Sequence, residues 1–170
     1  RWASNNSIFA TVGMNYAGVS DKIALNGEPG LVWLTAMRNY GRMVDPPDFK
    51  DLRVMGSNPC SEQSLESYEL CCLVETFPAH HESLEDYLLT LKFAFLYAKT
   101  VTLVPTHDSR TNAVMMRNKR IGCSQSGIIQ AMNKLGRREY LGWCDKGYKH
   151  LKKLDTIYSE WLCVAESKKI

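Results

Sequence analysis

Apolar positions along the chain come in short runs and spaced stripes, separated by Gly, Pro, Asn and Asp. Ile8 to Val12 is a brief strand-type run. Asn26-Gly27-Glu28-Pro29-Gly30 is a turn signal. After it Leu31, Leu34, Met37 and Arg38 fall at helical spacing, opened by Pro29 or Gly30 and closed by Gly41. Asp45-Pro46-Pro47-Asp48 marks a connection. Gly56 to Pro59 is excluded from strand interiors and helices, and Ser61 to Glu69 is polar enough for a loop. Leu70 to Phe77 predicts a largely buried strand ended by Pro78, with Cys71, Leu73 and Glu75 on one face and Cys72, Val74 and Thr76 on the other. Ser83 and Asp86 resemble a capping box for a helix carrying Leu84, Tyr87, Leu88, Leu91, Phe95 and Ala98 as far as Lys99. Val101 to Val104 then predicts a short buried strand, completing a strand–helix–strand unit. That unit is the signature of a largely parallel α/β sheet or barrel. Thr106 to Arg120 is a polar connection with helical potential near Ala113 to Met116. Ile121 to Ser124 is a strand candidate, Ile128 to Leu135 a helix closed by Gly136, and Asp145 the expected cap of a last helix carrying Tyr148, Leu151, Leu154, Tyr158 and Trp161.

Composition narrows this picture. The 170 residues, 45% hydrophobic and 23% charged, are enough for one domain with a real core, and no repeat or linker interrupts them. The net charge of +3 is scattered, which gives no reason to expect nucleic acid as a partner. No apolar run reaches the roughly 18 residues needed to cross a bilayer, so no membrane is expected. The six cysteines show neither a secreted disulfide pattern nor a CxxC zinc pair, which points to a reducing, cytoplasmic setting. The opening Arg1-Trp2-Ala3-Ser4 and the closing Ser167-Lys168-Lys169-Ile170 suggest a piece of a longer chain.

Candidate chemistry concentrates in Gly56 to Glu75. Cys60 stands between Asn58 and Glu62, and Cys71 follows at i+11. Cysteine serves active sites as thiolate nucleophile, dithiol reductant or thiyl radical. A carboxylate two residues away opposes a thiolate by like-charge repulsion. A thiyl radical needs no ionisation. Beside one, a carboxylate can take the proton of a substrate hydroxyl while sulfur takes hydrogen from the same carbon. From the residues alone this stands beside the reading that both cysteines are structural.

Asn58-Pro59-Cys60-Ser61-Glu62 resembles the NPCxE active-site loop of class II, adenosylcobalamin-dependent ribonucleotide reductases of the ribonucleoside-triphosphate type. The resemblance continues in order through Asn26 to Gly30, Glu69-Leu70-Cys71, Leu73 to Pro78, Tyr97 to Leu103, Pro105-Thr106-His107 and Arg117 to Gly122. It implies a ten-stranded α/β barrel, with 1–170 a single partial domain from its central part. It implies that Cys60, on a central loop, becomes the thiyl radical that abstracts the ribose 3′ hydrogen. It further implies that Glu62 takes the 3′-hydroxyl proton, that Asn58 binds the ribose hydroxyls with Ser57 beside it at the substrate, and that Cys71 is half of a reducing pair. The implied partners are a ribonucleoside triphosphate, a thioredoxin-type dithiol and deoxynucleotide effectors. The implied cofactor is adenosylcobalamin, its binding segments outside this chain, as is the cysteine paired with Cys71. Two alternatives stand beside this reading: a class I ribonucleoside-diphosphate reductase large subunit, and a barrel piece that keeps the motif only as packing.

The other notable residues carry blander expectations. Cys72, Cys123, Cys144 and Cys163 are read as packing, and His80-His81 as solvated loop. His107, just past an expected strand end, is a candidate to touch substrate or cofactor. Arg117, Lys119 and Arg120 are read as a solvated basic face.

Overall fold

The computed structural model describes residues 6–170. The expectation about Arg1 to Ser4 lies outside the described residues. Two compact units divide at Ser67/Tyr68.

In the first unit, strand β1 (Ile8–Phe9) pairs in parallel with β2 (Leu31–Val32), and helix α1 (Ala17–Asn26) lies between them in sequence. Gly27 ends α1 in the left-handed conformation, at φ 78°. A side chain there would be strained, which explains the Asn-Gly pair at this point. Helix α2 is shorter than expected, Leu34–Asn39, because Leu31 and Val32 are taken into the sheet instead. Arg38 on α2 donates from Nε to the Val54 carbonyl at 2.9 Å, tying the helix to the segment that leads into the cysteine loop. Strands β3 (Gly56–Ser57) and β4 (Ser64–Leu65) pair antiparallel, Gly56 opposite Leu65 and Ser57 opposite Ser64. This corrects two expectations. Gly56-Ser57 does form a ladder, and the polar 61–69 segment contributes its other strand. The ladder is only two residues long, so it carries no apolar alternation that a pattern search could detect.

In the second unit, β5 (Leu73–Thr76) pairs in parallel with β6 (Gly122–Gln125). The expected strand–helix–strand unit is therefore present, with a different second strand. Helix α3 runs through Leu84–Val101, so Val101 to Val104 is a helix end and turn, and Val104 is exposed. The short β-branched run there follows a helix too well packed to stop earlier. Helix α4 (Ser109–Asn118) comes next, capped by Asp108, whose carboxylate accepts from the Arg110 and Thr111 amides. Helix α5 covers Ile128–Leu135 as expected. Helix α6 begins at Arg137, well before the expected cap, and runs to Leu162. Asp145 is internal to it and pairs with Lys149 at 2.7 Å, one turn on.

The core of this unit is the seam between α3 and α6. Tyr87, Leu91, Phe95 and Ala98 face Trp143, Leu151, Leu154 and Tyr158, with Ile121 beneath. Tyr87 stacks on Trp143 at 5.7 Å and Phe95 on Tyr158 at 6.2 Å between centroids. The expected alternation of β5 is observed: Cys72, Val74 and Thr76 turn inward. The strand is not largely buried, however, since Leu73 and Phe77 are each 47% exposed. No helix among the described residues is long and apolar enough to cross a membrane.

Candidate active site

The β3–β4 hairpin carries four of the five expected site residues on one turn. Asn58 opens it: its carbonyl accepts from the Ser61 amide at 3.0 Å, closing a four-residue turn. Pro59 occupies the second position, where its fixed φ suits a turn, and Cys60 the third. Ser61 takes a left-handed φ of 61°, and the chain then reverses into β4. The Cys60 thiol is exposed at the tip of this turn.

The side chains around it are held by one another. The Asn58 side-chain amide donates to a Glu62 carboxylate oxygen. The Asn58 side-chain carbonyl accepts from the Gln63 amide at 3.1 Å, and the Asn58 backbone amide donates to the Gln63 carbonyl at 3.0 Å. With both ends of its side chain engaged, Asn58 has one available orientation, and it is 7% exposed. Ser57 Oγ lies 3.2 Å from Ser61 Oγ. Beneath the turn Ser64 Oγ donates to buried Asp51 at 3.2 Å. The result is an exposed thiol near a carboxylate that Asn58 orients.

Cys71, the fifth residue, belongs to the second unit and lies just before β5, half-buried. Cys72 beside it is buried as expected, its thiol pushed up first by burial and then by Cys71 and Glu69. Cys163 is exposed, ending α6 with a left-handed φ of 53°, so its reading as packing is corrected. His107 stands on the turn after α3 and does not follow a strand, which removes the reason for singling it out. His81 is not simply solvated: its ring Nδ1 lies 2.8 Å from Asp86.

The basic run near Arg120 is the largest departure. Lys119 and Arg120 are both fully buried, not solvated. Arg120 Nε sits 3.1 Å from Glu69 Oε1, with both side chains inaccessible. Lys119 Nζ donates to the Thr102 carbonyl at 3.0 Å, and burial pulls its ammonium down, with Lys99 adding to the effect. Lys99 itself meets Asp155 at 2.7 Å. A run of charges reads as surface unless its partners are known, and Glu69 and Asp155 lie far away in sequence. The only local hint is Glu69 itself, a lone acid at the edge of an apolar segment.

Comparison with known proteins covers nearly the whole chain. The chain is 60% identical over 167 residues to a protein of Dictyostelium discoideum named probable adenosylcobalamin-dependent ribonucleoside-triphosphate reductase, covering 98% of this chain and 22% of that one. It is 55% identical over 169 residues to the adenosylcobalamin-dependent ribonucleoside-triphosphate reductase of Euglena gracilis, covering 99% of this chain and 23% of that one. The chain is closely similar to part of these reductases. A solved B12-dependent, class II ribonucleotide reductase matches it with a TM-score of 0.88 and 32% identity, over 99% of this chain and 28% of the other. No family profile matches. The chain thus spans about a fifth of the length of the reductases it resembles in sequence.

Proposed function

We propose that this chain is a central piece of the catalytic barrel of a class II ribonucleoside-triphosphate reductase, which turns ribonucleoside triphosphates into deoxyribonucleoside triphosphates for DNA synthesis. One observation carries the reading: Asn58 holds Glu62 by a side-chain hydrogen bond across the turn that presents Cys60. The parallel β5–β6 pair and the likeness to the solved class II enzyme support placing it in a ten-stranded α/β barrel, with Cys60 on the central loop. The names of the relatives favour class II over a class I large subunit.

In this reading Cys60, as a thiyl radical, takes the ribose 3′ hydrogen while Glu62 takes the 3′-hydroxyl proton. Asn58 and Ser57 hold the ribose hydroxyls. The 2′-hydroxyl leaves as water. Cys71 and a second cysteine elsewhere in the parent supply two electrons and two protons and become a disulfide, one proton leaving in the water and one ending on C2′, and Cys60 returns the hydrogen to C3′. The balance is one ribonucleotide and two thiols giving one deoxyribonucleotide, one disulfide and one water. A thioredoxin-type dithiol then reduces the disulfide, deoxynucleotides act as effectors on the whole protein, and the setting is cytoplasmic.

Adenosylcobalamin, for which the relatives are named, starts such radicals. The grooves of about 890 and 400 Å³ are lined by residues between Glu82 and Lys146 and between Met116 and Glu166, with none of Ser57, Asn58, Cys60 or Glu62. The cofactor's binding segments are placed outside this chain.

In the full-length protein, Cys60→Ser should abolish both deoxynucleotide production and the protein radical signal. Cys71→Ser should stop turnover with external dithiol yet leave that signal detectable. Normal deoxynucleotide output from Cys60→Ser would refute the assignment.

A further inference from the structure

Cys71 lies on a segment with little regular structure to hold it. Tyr68 takes a left-handed φ of 65°, and the β5 ladder begins only at Leu73. Two anchors bracket the cysteine. On its C-terminal side the Cys72 carbonyl accepts from the Gly122 amide at 2.8 Å. On its N-terminal side Glu69 meets Arg120 at 3.1 Å, both side chains fully buried. Arg120 is where the parallel register, Leu73 opposite Gly122, would place the residue across from Cys71. Arg120 is itself fixed, since Lys119 before it closes α4 in the left-handed conformation at φ 45° and donates its amide to the Met115 carbonyl at 3.1 Å. The Cys72 thiol is pushed up by burial first, then by Cys71, and then by the Glu69 charge.

A buried ion pair is a costly way to obtain stability, because desolvating both charges offsets most of their attraction. What it supplies is a defined geometry, and here that geometry is at the foot of the reducing cysteine. We propose that the Glu69–Arg120 ion pair is a positioning device that fixes where the Cys71 thiol stands when it delivers its electron, a role that rests on the reductase reading. Small displacements at a reacting atom are expensive, so loosening this anchor should cost rate more than it costs fold.

The test uses the full-length protein with Arg120→Met, the double variant Glu69→Met with Arg120→Met, and Arg120→Lys. The double variant removes both charges and so avoids leaving one buried alone. Native alkylation of Cys71, read by peptide mass spectrometry, should quicken about fivefold or more in the double variant as the segment loosens. Cys60 alkylation should stay at the parental rate. Deoxynucleotide formed in a single turnover without external dithiol should fall about tenfold or more, with the Cys60-dependent radical signal retained. If the double variant unfolds, shown by loss of its helical circular dichroism, Arg120→Lys decides by the same two readings. Unchanged Cys71 alkylation in the folded variants would overturn the proposal. Failure of the reductase reading would look different: the parent protein would make no deoxynucleotide, while the alkylation comparison would still judge the anchor.

Discussion

Replacing Asp155 with alanine is the sharpest test of how the second unit is held together. The Lys99 side chain is wholly inaccessible and Asp155 is 1% exposed, with Nζ and Oδ1 2.7 Å apart. Lys99 also donates to the Ala165 carbonyl at 3.1 Å and to Ser167 Oγ at 3.3 Å. Asp155 accepts from the Ser167 amide at 2.8 Å and from its hydroxyl at 2.9 Å. Asp155→Ala therefore leaves an ammonium ion buried with only neutral acceptors, and it releases the backbone of the C-terminal tail. Breaking one half of a buried pair costs about 3 to 5 kcal/mol. That is a large part of the roughly 5 to 15 kcal/mol that keeps a domain folded. With a urea slope of about 1 to 3 kcal/mol per molar, the midpoint should fall by about 1 M or more, followed by circular dichroism. The double variant Lys99→Met with Asp155→Leu should recover most of the loss, since it buries no charge. A cost below about 1 kcal/mol for Asp155→Ala, or a double variant no better than the single, would refute the reasoning.

Two further outcomes follow from the same unit. Cys123 is pushed up to about 11 from an ordinary 9.0 by burial first and by Glu75 second. A raised thiol is stabilised in its protonated form by folding, so its contribution is full below pH 9 and is lost as pH climbs toward 11. Its alkylation at pH 8 should run about a hundredfold slower than that of an ordinary accessible thiol, and comparable rates would contradict the assignment. At Gly147, an added Cβ would stand 3.0 Å from Leu91 Cδ1 and 3.7 Å from Tyr87 Cε1, in the α3–α6 seam. Gly147→Ala gains helix propensity of up to about 1 kcal/mol but overpacks the seam by about 1 to 3, so a net loss is expected in thermal unfolding.

What is legible in the sequence follows physical range. The Ile128 to Leu135 stripe with Gly136 after it yields α5 with its observed bounds, because both signals are local. The turn carrying Cys60 is legible from Pro59, whereas the strand at Gly56 and the bond from Asn58 to Glu62 are visible only in the structure. Helix α6 reads short because Gly142 and Gly147 interrupt its pattern, and Asp145 offers a cap signal that belongs to its bond with Lys149. Arg120, Lys119 and Lys99 escape a local reading because their environments come from residues remote in sequence. No local pattern distinguishes a buried lysine from a solvated one. Fold and site are thus readable where their causes lie within a few residues, and unreadable where long-range packing supplies them.

The bonds that shape the Cys60 turn have a consequence for how such a site changes over time. From Ser57 to Ser64 the hydrogen bonds described for the tip begin and end within that short segment, apart from the one Ser64 gives to Asp51. The amide and the carboxylate beside the thiol thus take their mutual arrangement from neighbours close by in sequence, so a substitution inside this short segment reaches them directly.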